Sequence, residues 1–113
     1  MDCIFCKIAN GEIPVRFVYE DDLVVAFDDA NPQAPVHCLV IPKKHIPTSL
    51  DLDAADNALI GHMFQTANKI ARERNVADRG FRMVMNCNRE AGQSVFHIHL
   101  HVLGGRLLEW PPG

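Results

Sequence analysis

The sequence predicts an α+β domain built on an antiparallel five-stranded sheet, with one long helix and a short N-terminal helix. Three observations carry that prediction. Five runs of strand length recur along the chain: "VRFVYEDD", "LVVAFDD", "HCLVIP", "FRMVMN" and "FHIHLHVL". Only one long stretch, about Ala54 to Arg74, repeats its apolar residues at steps of three and four. The strands also follow one another mostly in hairpin-like succession, whereas a parallel sheet needs a long crossover after each strand. The chain has 113 residues, 48% of them apolar, which suits a single domain over 1–113 with its own core.

Ile4 to Asn10 reads as the short helix, closed by Gly11. The first two strands are joined by an acidic turn. In the second, period two puts Leu23, Val25, Phe27 and Asp29 on one face and Val24, Ala26 and Asp28 on the other. "NPQAP" is a proline-bounded loop, and the third strand after it stops at Pro42. By the same counting His37 shares a face with Leu39 and Ile41. For the long helix Asp53 is the expected N-cap, and Leu59, Ile60, Met63, Phe64, Ala67, Ile70 and Ala71 form its apolar stripe. His62 falls on the flank of that stripe and is expected to be solvated. The last two strands are separated by the polar stretch "CNREAGQS", and the tail "EWPPG" permits neither a helix nor a regular ladder.

The formal charge of −3 supplies no basic field of the kind a nucleic-acid backbone rewards, so no nucleic-acid partner is expected. The N-terminus lacks the pattern of a signal peptide, and no apolar stretch is long enough to span a bilayer. A cytoplasmic protein without a membrane partner is the expectation. In a reducing compartment the four cysteines serve as thiols or metal ligands rather than as disulfides.

His97, His99 and His101 alternate with Ile98, Leu100 and Val102, so a strand would set the three imidazoles in a row opposite a core-facing apolar row. Such a row has two chemical uses. It can chelate a metal, because neutral imidazole is the commonest zinc ligand. It can also supply a nucleophile whose neighbours manage protons and charge. The residues just upstream favour the second use: in "EAGQS", Gly92 lets the backbone approach a ligand closely, and N–H groups with the Ser94 hydroxyl can hold phosphate oxygens.

"HIHLHVLGGR" is similar to the signature of the histidine triad family, and "DDANPQAPVHCLVIPKKH" resembles the family's second block. With "MNCN", "GQS" and "WPPG" the resemblance spans nearly the whole chain and points to the nucleotide-binding branch of that family. It implies a homodimer whose two five-stranded sheets join into one of ten strands. It also implies a hydrolase acting on phosphorus–nitrogen bonds, a purine nucleoside phosphoramidase that works through a nucleotidyl-histidine intermediate. Carried over position by position, His99 would be the nucleophile, His101 would sit against the α-phosphate and leaving group, and His37 would orient the row or relay protons to it. Asp29 would bind the ribose hydroxyls. Asn86, Gln93, Ser94 and Val95 would line the ribose and phosphate side, and Ile4, Phe5, Ile8, Phe27 and Leu39 would enclose the base. Trp110 resembles a tail residue that reaches the partner subunit's site and shapes the choice of leaving group.

"CIFC" is a lone C-x-x-C and needs two further ligands before it makes a zinc site. The resemblance implies them. Cys3, Cys6, His45 and His97 would hold a structural Zn²⁺ that the chemical step does not require. Cys38 and Cys87 are expected to be packed thiols. Two other functions compete with the phosphoramidase: a non-catalytic nucleotide-binding or scaffold protein, and a zinc-dependent hydrolase.

Overall fold

In the computed structural model, which describes residues 2–113, a five-stranded antiparallel sheet carries a helix on each face. In chain order the elements are α1 (Ile4–Ala9), β1 (Phe17–Glu20), β2 (Val24–Asp28), β3 (Val36–Pro42), α2 (Asn57–Glu73), β4 (Phe81–Val84) and β5 (Leu100–Gly104). The strands lie in the order β1-β2-β3-β5-β4. β5 therefore inserts beside β3, pairing His37 with Leu103 and Leu39 with His101.

Period-two alternation sends successive residues of β2 and β3 into two separate dry layers. Val24, Ala26, Cys38 and Val40 join Ile98, Leu100 and Val102 against Met63, Ala67 and Ile70 of α2. On the other face Val25, Phe27, Leu39 and Ile41 meet Phe5, Ile8 and Ala9 of α1. Because both faces are covered, these strands read as continuous apolar runs. Ile70 is fully buried, and truncating it to alanine would cost about 2–5 kcal/mol in lost transfer energy and cavity.

Several elements differ from expectation for local reasons. β1 is shorter than "VRFVYEDD" because the Asp21 carboxylate accepts the N–H groups of Leu23 and Val24 and starts the turn early. Asp53 caps a 3-10 turn, Ala54–Asp56, through a reciprocal box with Asp56, and α2 begins only at Asn57. A second such box, Thr48 with Asp51, closes an unexpected turn at Ser49–Asp51. Its Thr-x-x-Asp spacing was there to be read. Phe64 belongs to the exposed side of α2 and not to the core. His62 is not merely solvated, since its Nε2 lies 2.6 Å from Asp21 Oδ2, which also accepts the Tyr19 hydroxyl at 2.8 Å. β4 ends at Val84, two residues before Asn86.

The largest correction concerns "FHIHLHVL". Only from Leu100 onward is it strand, and His97 and His99 lie in the irregular segment before β5. The cause is Pro42, which has no N–H to offer the ladder and whose carbonyl accepts the His97 ring at 2.7 Å. The Ile98 N–H goes instead to the Ile46 carbonyl at 2.8 Å. Ile98, Leu100 and Val102 still face the core as expected. At the far end Gly105 has φ +94, and a Cβ there would come within 2.9 Å of the Pro35 side chain, so the turn out of β5 requires glycine.

Candidate active site and metal-binding cluster

The histidines and the cysteine pair meet under α1, on the sheet face that this helix covers. A cavity of about 390 Å³ opens there, lined by Ile4, Phe5, Ile8 and Val15 on one side and Phe27, Asp28, Asp29, Ala30 and Leu39 on the other. Ser94, His99 and His101 close its end. One wall is thus apolar and aromatic, and the other ends in carboxylates and imidazoles. Phe5 packs edge-on against Phe27, with ring centroids 5.8 Å apart, and against His99 at 5.1 Å.

Backbone atoms decide which ring nitrogens carry protons. His99 is 5% exposed, and its Nδ1 donates to the His97 carbonyl at 2.8 Å. A carbonyl only accepts, so the neutral ring keeps its proton on Nδ1 and its lone pair on Nε2. His37 is set the opposite way. Its Nδ1 accepts the Gln33 backbone N–H at 3.0 Å, which leaves the proton on Nε2. That Nε2–H donates to His101 Nδ1 at 2.8 Å and stands 3.4 Å from Asp29 Oδ2. His101 in turn keeps its proton on Nε2. Burial, helped by repulsion from His99 and His37 and only partly opposed by Asp29, pushes His101 down to about 4. It is therefore a neutral donor at physiological pH. Asp29 has one oxygen committed, Oδ1 accepting the Asn31 N–H at 2.8 Å, while Oδ2 stands by the histidines.

The remaining candidates fall outside this cavity. Gln93 is buried, and its amide is fully engaged: Oε1 accepts the Asn88 N–H, and Nε2 donates to the carbonyls of Pro47 and Val95. It fixes the loop that carries Ser94. Gly92, at φ +86, closes the short turn Arg89–Ala91 just before it. Asn86 is half-buried and does not line the cavity, and Val95 lines a neighbouring cleft. Trp110 is 80% exposed, and within a single chain it takes no part in the site. Sequence reasoning missed Val15, whose place in an alternating apolar run was a readable signal. It also missed the Gln33 N–H and the Pro42 carbonyl, which act through the main chain and leave no mark in residue type.

Among the described residues, two groups of side chains bring potential metal ligands within 4.8 Å of one another. The first is Cys3, Cys6, His45 and His97. Cys6 Sγ lies 3.3 Å from His45 Nδ1 and 3.5 Å from His97 Nδ1, the two Nδ1 atoms are 3.2 Å apart, and Cys3 Sγ is 3.4 Å from His97 Nδ1. Tetrahedral ligands at ordinary Zn–N and Zn–S bond lengths sit about 3.3–3.8 Å from each other, so the donor spacing fits such an ion. The protons fit as well. Donating Nε2–H to Pro42 leaves the His97 Nδ1 lone pair facing the thiols, and burial foremost holds its pKa below the usual histidine range. The four residues could hold a metal.

The second group, Asp29, His37 and His101, does not fit. To ligate through Nε2, His37 would have to move its proton to Nδ1, where it would face the Gln33 N–H donor to donor. Its Nε2 is also only 2.8 Å from His101 Nδ1, closer than two ligands of one ion stand.

This fold, with His99 and His101 at the end of a covered cavity and His97 turned to the cysteine pair, defines the class. The chain belongs to the histidine triad family. The family model described as "Scavenger mRNA decapping enzyme C-term binding" matches residues 2–108. Among curated relatives, an uncharacterized HIT-like protein of Synechocystis is 53% identical over 99% of this chain and 97% of its own. The purine nucleoside phosphoramidase of Escherichia coli K12 is 50% identical over 95% of this chain and 90% of its own. Among solved structures, a HIT family hydrolase of Legionella pneumophila superposes with a TM-score of 0.98 at 50% identity, covering 99% of this chain and all of that one.

Proposed function

We propose that this protein hydrolyses the phosphorus–nitrogen bond of purine nucleoside 5′-phosphoramidates, releasing AMP or GMP and an amine. The observation that supports this most is the proton order around His99: a buried imidazole, its Nε2 lone pair free, at the end of a cavity with an aromatic wall and a carboxylate. Its half-identity with a purine nucleoside phosphoramidase agrees. The base lies between Phe27, Leu39 and Ile8, and the ribose hydroxyls donate to Asp29. His99 Nε2 attacks phosphorus, an N–P bond forms, and the P–N bond to the amine breaks. His101 Nε2–H hydrogen-bonds the phosphoryl group or the departing nitrogen, and His37 holds His101 in that tautomer. Water then cleaves the nucleotidyl-histidine. The amine takes up one proton in the first step and water gives one up in the second, so every histidine returns to its starting form.

Cys3, Cys6, His45 and His97 hold a structural Zn²⁺, whose contribution is to tie α1, and with it Phe5 and Ile8, to the sheet. The poor fit at Asp29, His37 and His101 favours histidine chemistry over a zinc-dependent hydrolase. Among the described residues no helix is long and apolar enough to cross a membrane, and the free thiols suit a reducing cytoplasm. The sheet has edges at β1 and β4. β1 is interrupted by a register shift between Phe17 and Tyr19, so β4 is the edge on which a second copy completes a ten-stranded sheet.

Steady-state hydrolysis of adenosine 5′-phosphoramidate tests the activity. His99→Ala is expected to lose turnover at least about a thousandfold while still binding AMP. Mass spectrometry after mixing wild type with a slow substrate should find one nucleotidyl group on His99. Absence of turnover in the wild type, with AMP still bound, would favour a non-catalytic nucleotide binder.

A further inference from the structure

A second cleft, of about 650 Å³, adjoins the nucleotide cavity. Ile4 and Ser94 line both, so the two spaces meet at the end of the nucleotide cavity where the histidines stand. Beyond that junction the cleft is walled by Ile13, Val95 and Phe96, and Cys3 and His45 of the metal cluster also border it. Its rim carries the Asp2–Lys7 ion pair at 3.1 Å, in which the two charges offset each other. Phe96 is 50% exposed and Ile4 likewise. A half-exposed aromatic and a half-exposed isoleucine around a continuous cleft form a surface that gains from being covered.

We infer that this cleft receives the apolar body of the amine leaving group, and that Phe96 determines specificity for it. The inference rests on the phosphoramidase reading. With the base and ribose in the first cavity and phosphorus against His99 and His101, a substituent on the phosphoramidate nitrogen needs room beyond the phosphate. The cleft past Ser94 supplies that room. Its Ile4, Ile13, Val95 and Phe96 wall is apolar, and the opposite charges of Asp2 and Lys7 are paired at its rim, which selects arylalkyl or long alkyl amines over small or multiply charged ones. An unsubstituted phosphoramidate, whose leaving group is ammonia, does not reach Phe96.

The test compares two substrates, adenosine 5′-phosphoramidate and its N-(2-phenylethyl) derivative. For Phe96→Ala, kcat/KM on the phenylethyl substrate should fall about tenfold or more, with the unsubstituted substrate changed less than twofold. Phe96→Tyr, which keeps the ring, should restore most of the loss. Equal effects of Phe96→Ala on both substrates, or no effect on either, would overturn the inference while leaving the phosphoramidase reading intact. If wild type hydrolyses neither substrate, the phosphoramidase reading fails and this inference falls with it. Circular dichroism of Phe96→Ala should match wild type, because a half-exposed side chain in an irregular segment carries little of the fold.

Discussion

The carbonyl of His97 and the Nδ1–H of His99 are 2.8 Å apart, and His97 turns its own Nδ1 toward Cys6 Sγ at 3.5 Å. One residue thus serves the Cys3, Cys6 and His45 group with its ring and the candidate nucleophile with its backbone. Removing the metal should therefore be felt at His99. Elemental analysis of protein purified without chelator should find about one zinc per chain. Stripping the ion, or making Cys6→Ser, should lower Tm by roughly 5 °C or more. The ¹⁵N chemical shifts of His99 should move with it. A chain without zinc that shows an unchanged Tm after chelation would remove the site.

His101 predicts an acid limb in stability. Its folded value is depressed to about 4, whereas an unfolded histidine titrates near 6.5, so the unfolded chain binds the extra proton between those values. Stability must then rise with pH from about 4 to 6.5, by on the order of 3 kcal/mol, and this gain is absent below pH 4. Urea unfolding at several pH values should show the slope. His101→Gln should flatten it.

Asp29 should discriminate sugars. With Oδ1 held by the Asn31 N–H, Oδ2 is the oxygen free to accept from a ribose hydroxyl. Asp29→Ala should raise KM for adenosine 5′-phosphoramidate about tenfold, matching the loss of a charge-assisted hydrogen bond. The 2′-deoxy substrate should respond less. Equal responses would mean that the carboxylate acts only through His37.

Gln93 should matter for stability before chemistry. Gln93→Ala strands the Asn88 N–H and the carbonyls of Pro47 and Val95, at a cost of about 2–3 kcal/mol by chemical denaturation. The loss in kcat/KM should track loosening of the Ser94 loop, and the loss in stability should be partly recovered by bound AMP.

Much of this fold could be read from period alone. Val24 and Val25 fall on opposite faces as counted, and both are buried because a helix covers each side of the sheet. The Cys3, Cys6, His45 and His97 grouping was legible only through family resemblance, since 39 residues separate Cys6 from His45 and 91 separate it from His97. What could not be read was where strand regularity fails. "HIHLH" looks like an unbroken strand, and only the absence of an N–H at Pro42, on a different strand, shows why His97 leaves the ladder. The loop bonds of Gln93 were hidden for a related reason, since residue type does not reveal whether an amide faces a ligand or is engaged by its own loop.

The atoms that set the proton on His37, His97 and His99 are the Gln33 N–H, the Pro42 carbonyl and the His97 carbonyl. None of them belongs to a side chain. The acid–base character of the site is thus inherited through the path of the main chain, and it survives drift at position 33 so long as an amide remains. A scan that truncates side chains would pass over Gln33 in silence. A proline there, which alone deletes the N–H, would leave His37 free to reverse its tautomer and, through His101, misdirect the whole row.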